Sequence, residues 1–189
     1  PFPHQKPVLS REGVNKKYLE FTEQVWNHII EELRGSPRFN EFKEVFFYDI
    51  KQVINSIDYT HMISKNPEAI NLNELEIYDS HNMMAYPYTM IDLFYSPEFN
   101  VNELSDLREI VWKAQKMGRI GNWVSTWERE FKEKDYESGI TAYALEKNLI
   151  TLIELKQLKN NEIDPEEVIE KLKKQSIEEH FHKEWKHQY

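Results

Sequence analysis

The sequence predicts an all-α protein, folded as an antiparallel bundle of about six helices. Apolar residues recur every three or four positions along most of the chain, which is the period of an α-helix rather than of a strand. Only 5 glycines and 8 prolines occur among 189 residues, so few positions interrupt those periodic segments. Charged residues make up 30% of the chain and fall between the apolar positions, as they do on the outer faces of helices.

An extended arm, residues 1–13, is predicted at the start, because its three prolines lack backbone donors and disfavour the helical conformation. Residues 14–189 are long enough for one buried core, and we expect them to form a single helical domain. The first residue is not methionine, so the sequence leaves open whether further helices precede this domain. The first helix is predicted from Asn15 to Leu33, with Gly35 just past its end as a stop signal.

A second helix is predicted over residues 36–62. Ser36 would be its N-cap and Pro37 its first residue, a position where a proline N–H is not needed. A third helix is predicted over residues 71–94, starting at one of its first asparagines. Pro87 lies in the interior of this segment, so we expect a kink or a break around residues 85–87.

The fourth predicted helix, residues 102–132, is the longest of the chain. A fifth is predicted over residues 141–159, after a Ser-Gly break. The sixth begins at Asp164, because an aspartate cap, Pro165 and two acidic residues of the first turn all favour a helix start.

The charge and the composition exclude several kinds of function. The 33 acidic residues against 24 basic ones give a net charge of -9, so we expect no nucleic-acid partner. Without cysteine the chain can form neither a disulfide nor a thiolate metal site, which fits a reducing compartment and predicts a cytoplasmic protein. No apolar run is long enough to span a bilayer, so we expect no membrane span.

One segment of the fourth helix carries candidate metal ligands. Asn122, Thr126 and Glu130 are spaced by four residues, which places an amide oxygen, a hydroxyl and a carboxylate on one helix face. Three oxygen donors of this kind suit Mg²⁺, which prefers oxygen and commonly bridges protein groups to phosphates. Arg129 lies next to Glu130 and could contact a diphosphate bound by this Mg²⁺. An ordinary solvated face is the alternative interpretation of the same pattern.

The segment from Gly121 to Gly139 resembles the second metal-binding motif of class I terpene synthases of the microbial terpene cyclase type, written N-D/N-x-x-S/T-x-x-x-E. Asn122, Thr126 and Glu130 match its three ligands, and Arg129 matches the basic residue that commonly precedes the last Glu. The likeness covers the C-terminal part of that domain, or the chain is a diverged member of the family.

The resemblance implies the isoprenoid (terpenoid) synthase fold and three Mg²⁺ ions that bind a prenyl diphosphate. It implies a carbon–oxygen lyase that ionises this substrate and cyclises the carbocation in an aromatic cavity. Four aromatic residues are candidates for the wall of that cavity: Phe46, Phe47, Tyr86 and Trp112.

The sequence departs from the family pattern at several positions. The aspartate-rich motif D-D-x-x-D is absent. Asn82 stands where the family has a diphosphate-sensing Arg, and Trp123 follows the first ligand in place of an acid or amide. Near the end, Lys186 and Tyr189 stand in place of an Arg-Tyr pair.

Two other classes of function are compatible with the sequence. Glu179 with His182, and Asp58 with His61, are carboxylate–histidine pairs three residues apart, the spacing of di-iron helical-bundle proteins. The chain could instead be a non-catalytic helical interaction protein that uses its aromatic surface. A homodimer is compatible with all three interpretations.

Overall fold

The computed structural model describes residues 15–189, and within them the chain forms α-helices, short 3₁₀ turns and no strand. This confirms the predicted all-α class. The predicted arm lies outside the described residues. The nine α-helices of the described part are α1 (Lys16–Arg34), α2 (Phe39–Lys65), α3 (Leu72–Tyr78), α4 (Ala85–Phe94), α5 (Leu104–Glu133), α6 (Gly139–Glu146), α7 (Leu152–Lys159), α8 (Pro165–Lys174) and α9 (Ile177–Gln188).

Two predicted helices, the first and the fourth, are found with nearly the predicted boundaries, and the sixth begins where it was predicted to begin. Asn15 is the N-cap of α1, and its side chain accepts from the Lys17 N–H at 2.9 Å. The predicted fourth helix is α5. Asp164 caps α8 by accepting from the Glu166 N–H, and Pro165 is the first helical residue.

The predicted start of the second helix is wrong by two residues. α2 begins at Phe39, and Ser36 belongs to the turn before it. The Ser36 hydroxyl donates to the Leu33 carbonyl oxygen at 2.6 Å, so it closes the end of α1 instead of capping α2. Arg38 precedes α2, and its guanidinium donates to the carbonyl oxygens of two residues beyond α4.

The third predicted helix is broken, but three residues before Pro87. α3 ends at Tyr78, a 3₁₀ turn spans Asp79–Met83, and Met84 takes a left-handed conformation with φ of 58°. Pro87 then lies in the first turn of α4, where a backbone N–H has no partner within the helix. The proline therefore causes no kink.

Two further breaks explain why nine helices replace the predicted six. The predicted fifth helix divides into α6 and α7, with Asn148 at a φ of 54° between them. Thr151 and Glu154 then form a capping box that starts α7. The sixth divides into α8 and α9 at Ser176, which has a φ of 50°.

Helix α4 runs antiparallel to both α2 and α5. Phe39 at the start of α2 contacts Phe94 at the end of α4, and Arg108 joins Asp49, farther along α2, to the Tyr86 ring at the start of α4. Phe94 packs in the same cluster as the first turn of α5, whereas Tyr86 stacks on Trp112, farther along α5. α2 and α5 therefore run in the same direction. No helix of the described part is both long and apolar enough to cross a bilayer.

Two clusters of buried apolar side chains hold the bundle together. One contains the end of α1, the first half of α2 and α4, and it includes Phe46 and Phe94. The other contains the second half of α5 and residues from α3 and α6 to α9, and it includes Trp127 and Phe181. Along both α2 and α5, buried polar residues fall between the members of the two clusters.

Candidate functional site

The three predicted metal ligands lie on one half-buried face of α5. Asn122, Thr126 and Glu130 are all partly buried, whereas Ser125 and Arg129 beside them are exposed. The Thr126 hydroxyl donates to the Asn122 carbonyl oxygen at 2.7 Å, which leaves its oxygen lone pairs free to accept or to bind a cation. The face is therefore neither fully solvated nor part of the apolar core.

The Asn122 side chain is oriented by Arg119, one turn before it. Arg119 Nη1 donates to Asn122 Oδ1 at 2.9 Å, and Arg119 Nε donates to the Asp79 carbonyl oxygen at 3.1 Å. The Trp123 indole N–H donates to Asp79 Oδ2 at 3.2 Å. Burial raises the pKa of Asp79 above its ordinary value, and the Arg119 guanidinium and the Trp123 N–H oppose that rise. This buried network directs the amide oxygen of Asn122 toward Arg119 and leaves it one further lone pair.

The carboxyl of Glu130 lies in a partly desolvated environment. Burial raises the pKa of Glu130 above its ordinary value, and the Asp135 carboxylate adds to the rise. A cation bound here would offset both the desolvation and the repulsion from Asp135, since an opposite charge favours the ionised carboxylate.

The three donor atoms are of the type that Mg²⁺ prefers, but only the Glu130 carboxylate among them carries a negative charge. An amide, a hydroxyl and a carboxylate oxygen are hard ligands of the kind that Mg²⁺ prefers. Within residues 15–189, no group of three or more His, Asp or Glu side chains is placed to hold a metal ion. A Mg²⁺ ion on this face would therefore depend on water and phosphate oxygens for its remaining ligands, as Mg²⁺ in phosphate sites commonly does.

An open groove of about 720 Å³ lies beside the end of α5. Its wall combines side chains of α2, Asn82 of the 3₁₀ turn, the α5–α6 connection and Lys159 of α7. The lining residues include Asp135, whose carboxylate raises the pKa of Glu130. Lys159 is held in place by the Ser64 carbonyl oxygen at 2.9 Å and the Glu137 carboxylate at 3.2 Å. The groove contains both cationic and anionic groups, and none of the three triad residues lines it. Asp135 is the connection between the groove and Glu130.

Arg129, the predicted diphosphate contact, lies on the exposed side of α5. Its side chain is 64% exposed, and Nη1 lies 3.9 Å from the carboxylate of Glu133, which is also exposed. The guanidinium that lies next to Asn122 belongs instead to Arg119.

The four aromatic cavity candidates are divided between two places. Phe46 and Phe47 pack edge to face, with ring centroids 5.4 Å apart, in the apolar cluster around Phe94. Tyr86 and Trp112 stack at 6.4 Å on another part of the bundle. The groove beside α5 is lined by none of the four.

Several buried polar residues elsewhere in the bundle were not predicted from the sequence. The Asp49 carboxylate, fully buried in α2, accepts two hydrogen bonds of 2.8 Å from the Arg108 guanidinium of α5. Gln115 is also buried, and its side-chain nitrogen lies 3.5 Å from His81 Nδ1. The burial of Asp49 could have been predicted from the sequence, because Asp49 occupies a position in the apolar stripe of α2, between Phe46 and Val53.

The two carboxylate–histidine pairs of the di-iron alternative lie on outer surfaces. Asp58 and His61 are exposed on α2, and Glu179 and His182 are exposed on α9. The half-buried histidine of α9 is His180, whose ring stacks on Tyr143 at 4.0 Å. Within the described residues, the structure therefore brings no second pair of carboxylates to either place.

Comparison with known proteins identifies no relative. No family model, no curated protein and no solved structure matches the chain. The function is therefore inferred from the residues of the site.

Proposed function

We propose that this chain is a terpene-synthase-like protein that binds a prenyl diphosphate together with Mg²⁺ on the face formed by Asn122, Thr126 and Glu130. The proposal includes the isoprenoid synthase fold, a carbon–oxygen lyase activity and a cytoplasmic location. The observation that supports it most is that the three predicted ligands share one partly buried face of α5. Asp135, which acts on Glu130, also lines a polar groove at the end of that helix. An ordinary surface pattern would leave all three side chains in water.

Each polar residue has a separate task in this proposal. Bound Mg²⁺ would neutralise the charge of the diphosphate leaving group. Asn122 and Thr126 supply neutral oxygens, and Glu130 supplies the one carboxylate of the triad. Arg119 holds the Asn122 amide in one orientation, and Asp79 in turn holds Arg119. Lys134 and Lys159, in the groove, are the cations available to a diphosphate there.

The first test is the thermal midpoint with Mg²⁺ and inorganic diphosphate, each alone and both together. Ligands that bind only the folded state stabilise it by about 2.7 kcal/mol at a concentration one hundred times the dissociation constant. For a chain of this length that corresponds to a shift of roughly 5–10 °C. We expect the shift only when both ligands are present, because the triad supplies too few charges to hold Mg²⁺ alone.

Glu130→Gln and Glu133→Gln form a matched pair for this test. Both substitutions remove one carboxylate from the last turns of α5, but Glu133 lies on the exposed face with Arg129. We expect Glu130→Gln to abolish the shift and Glu133→Gln to preserve it. Absence of a shift in the native chain, or equal loss in both variants, would contradict the site.

A non-catalytic helical interaction protein is the second candidate, favoured by the packing of Phe46 and Phe47 in the core rather than around the groove. The two candidates differ in turnover. If the native chain shows no thermal shift and releases no diphosphate from prenyl diphosphates of increasing length, the interaction protein is favoured. A thermal shift without release would indicate a scaffold that binds the ligand without the ionisation chemistry.

A further inference from the structure

The first helix presents an apolar stripe to solvent. Four of its side chains are strongly exposed: Tyr18 at 65%, Phe21 at 62%, Val25 at 41% and Ile29 at 43%. Only Ile30 and Leu33, near the end of α1, are buried against the bundle. Contiguous exposed apolar side chains of this size mark a surface that another molecule covers.

The four exposed residues form one continuous face, which we name the α1 stripe. At 100° per residue, Tyr18, Phe21, Val25 and Ile29 fall within an arc of about 80°. Helix α1 has 19 residues and is roughly 28 Å long. A narrow stripe that follows about three turns of a helix matches the seam between two paired helices.

The charges beside the stripe favour a particular partner. Lys17 and Glu31 are both exposed and lie on the same edge of the stripe, 14 residues apart. If a second α1 lies antiparallel on the first, Lys17 of each helix faces Glu31 of the other along that edge. Two ion pairs then form at once, whereas a parallel pair would place like charges at the same level.

We propose that the α1 stripe pairs with the same stripe of a second copy of this chain, antiparallel and about a two-fold axis close to Gln24. Phe21 of each helix then packs on Val25 of the other. Gln24 meets Gln24 of the partner, and Lys17 faces Glu31 on both sides of the axis. The pairing is independent of the proposed diphosphate site, which lies on α5.

The first experiment is sedimentation velocity of the full chain over a concentration series. We expect a reversible change from 22.9 kDa to twice that mass, with a dissociation constant in the micromolar range typical of a small interface. Val25→Glu, which puts two carboxylates near the axis, should give a monomer at every concentration. Asn27→Glu adds the same charge on the opposite side of α1 and should dimerise as the native chain does.

A charge exchange tests the direction of the pairing. Lys17→Glu and Glu31→Lys should each weaken the dimer, because each creates like charges in both pairs. The double variant restores two opposite-charge pairs and should restore the dissociation constant to within about threefold of the native value. Equal weakening in the double variant would exclude the antiparallel arrangement.

Cross-linking locates the axis, and the chain is suited to it because it contains no cysteine. Val25→Cys should form a disulfide dimer on mild oxidation, because Val25 lies at the centre of the α1 stripe and one residue from the axis, where the two copies approach most closely. Asn27→Cys, on the opposite side of α1, should not. Either a native chain that stays monomeric throughout the series, or a dimer without the Val25→Cys cross-link, would overturn the proposal. The first result would mean that another segment or another protein covers the α1 stripe, and the second that a different surface of the partner does.

Discussion

His81 lies among aromatic and charged neighbours at the junction of the 3₁₀ turn with α4 and α5. Its ring centroid is 5.4 Å from that of Trp112 and 6.0 Å from that of Tyr86. Burial lowers the pKa of His81 below its ordinary value of 6.5; the Asp49 carboxylate opposes this, and the Arg108 guanidinium adds to it. In the native state the imidazole is therefore held neutral to a lower pH than in the unfolded chain.

This environment predicts a pH dependence of stability with a definite sign. As the pH falls below 6.5, the unfolded chain gains a proton at His81 before the native chain does, so the free energy of unfolding decreases. One such group contributes a slope of at most about 1.4 kcal/mol per pH unit. Urea titrations at several pH values between neutral and mildly acidic give the free energy of unfolding at each pH. Its slope against pH should be smaller for His81→Gln than for the native chain.

His182→Gln is the control, because His182 is exposed on α9 and lies away from both His81 and the α1 stripe. It should leave the slope unchanged. The slope of stability against pH, rather than the absolute stability, is the quantity to compare, since His81→Gln also removes the two ring contacts. Equal slopes for His81→Gln and the native chain would contradict a neutral, half-buried imidazole.

At the scale of elements, the docking of α6 on α5 depends on a residue without a side chain. A Cβ atom on Gly139, the first residue of α6, would lie 2.4 Å from the ring of Trp123. Trp123 is itself 2% exposed and donates to Asp79, so its ring cannot move without disturbing the network around Arg119. The close approach of the two elements therefore requires glycine at this position.

Gly139→Ala should destabilise the protein by about 1–3 kcal/mol, the usual effect of overpacking a filled core. Gly121→Ala is the matched comparison, since a Cβ there meets nothing within 4 Å and the position is inside α5. It should stabilise by about 0.5–1 kcal/mol, because alanine loses less backbone entropy in a helix than glycine. Chemical denaturation of both variants measures the difference, and effects of the same sign would contradict the packing.

At the scale of the whole molecule, one buried ion pair connects α2 with α5 across the space between the two apolar clusters. The Asp49 side chain is fully buried, and Arg108 also lies over the Tyr86 ring at 4.2 Å. A buried carboxylate without its partner is costly, whereas a well-packed apolar replacement of both partners is often neutral. The pair therefore specifies how the helices are arranged more than it adds to stability.

Arg108→Met should lower the free energy of unfolding by about 3 kcal/mol, because it leaves Asp49 buried and unpaired. The double variant Asp49→Leu with Arg108→Met should recover most of that loss. Lys113→Met removes the exposed pair with Glu109 on the same helix and should change stability by less than about 1 kcal/mol. A similar loss in the single and double variants would mean that the pair does not act as a unit.

The sequence by itself determined the helical class, the start of α1, the start of α8 and the extent of α5. These features depend on local physics, since helical periodicity, an Asn or Asp cap and a proline at the first position act within one or two turns. The common face of Asn122, Thr126 and Glu130 was predictable for the same reason, because four-residue spacing fixes it in any α-helix. The start of α7 could also be predicted from the sequence, because Thr151 and Glu154 form a capping box. The continuous apolar period across this region instead favoured one uninterrupted helix.

Only the tertiary structure decided which polar positions of those helices are enclosed. Arg119 and Asp79 are 40 residues apart, and Asp49 and Arg108 are 59 apart, so no local pattern connects them. The exposure of the α1 stripe was likewise decided by packing, because its period is that of a core helix and the bundle covers only its end. Periodicity fixes which side chains share a face, but burial and electrostatic environment depend on which element packs against that face, and distant parts of the chain supply that element.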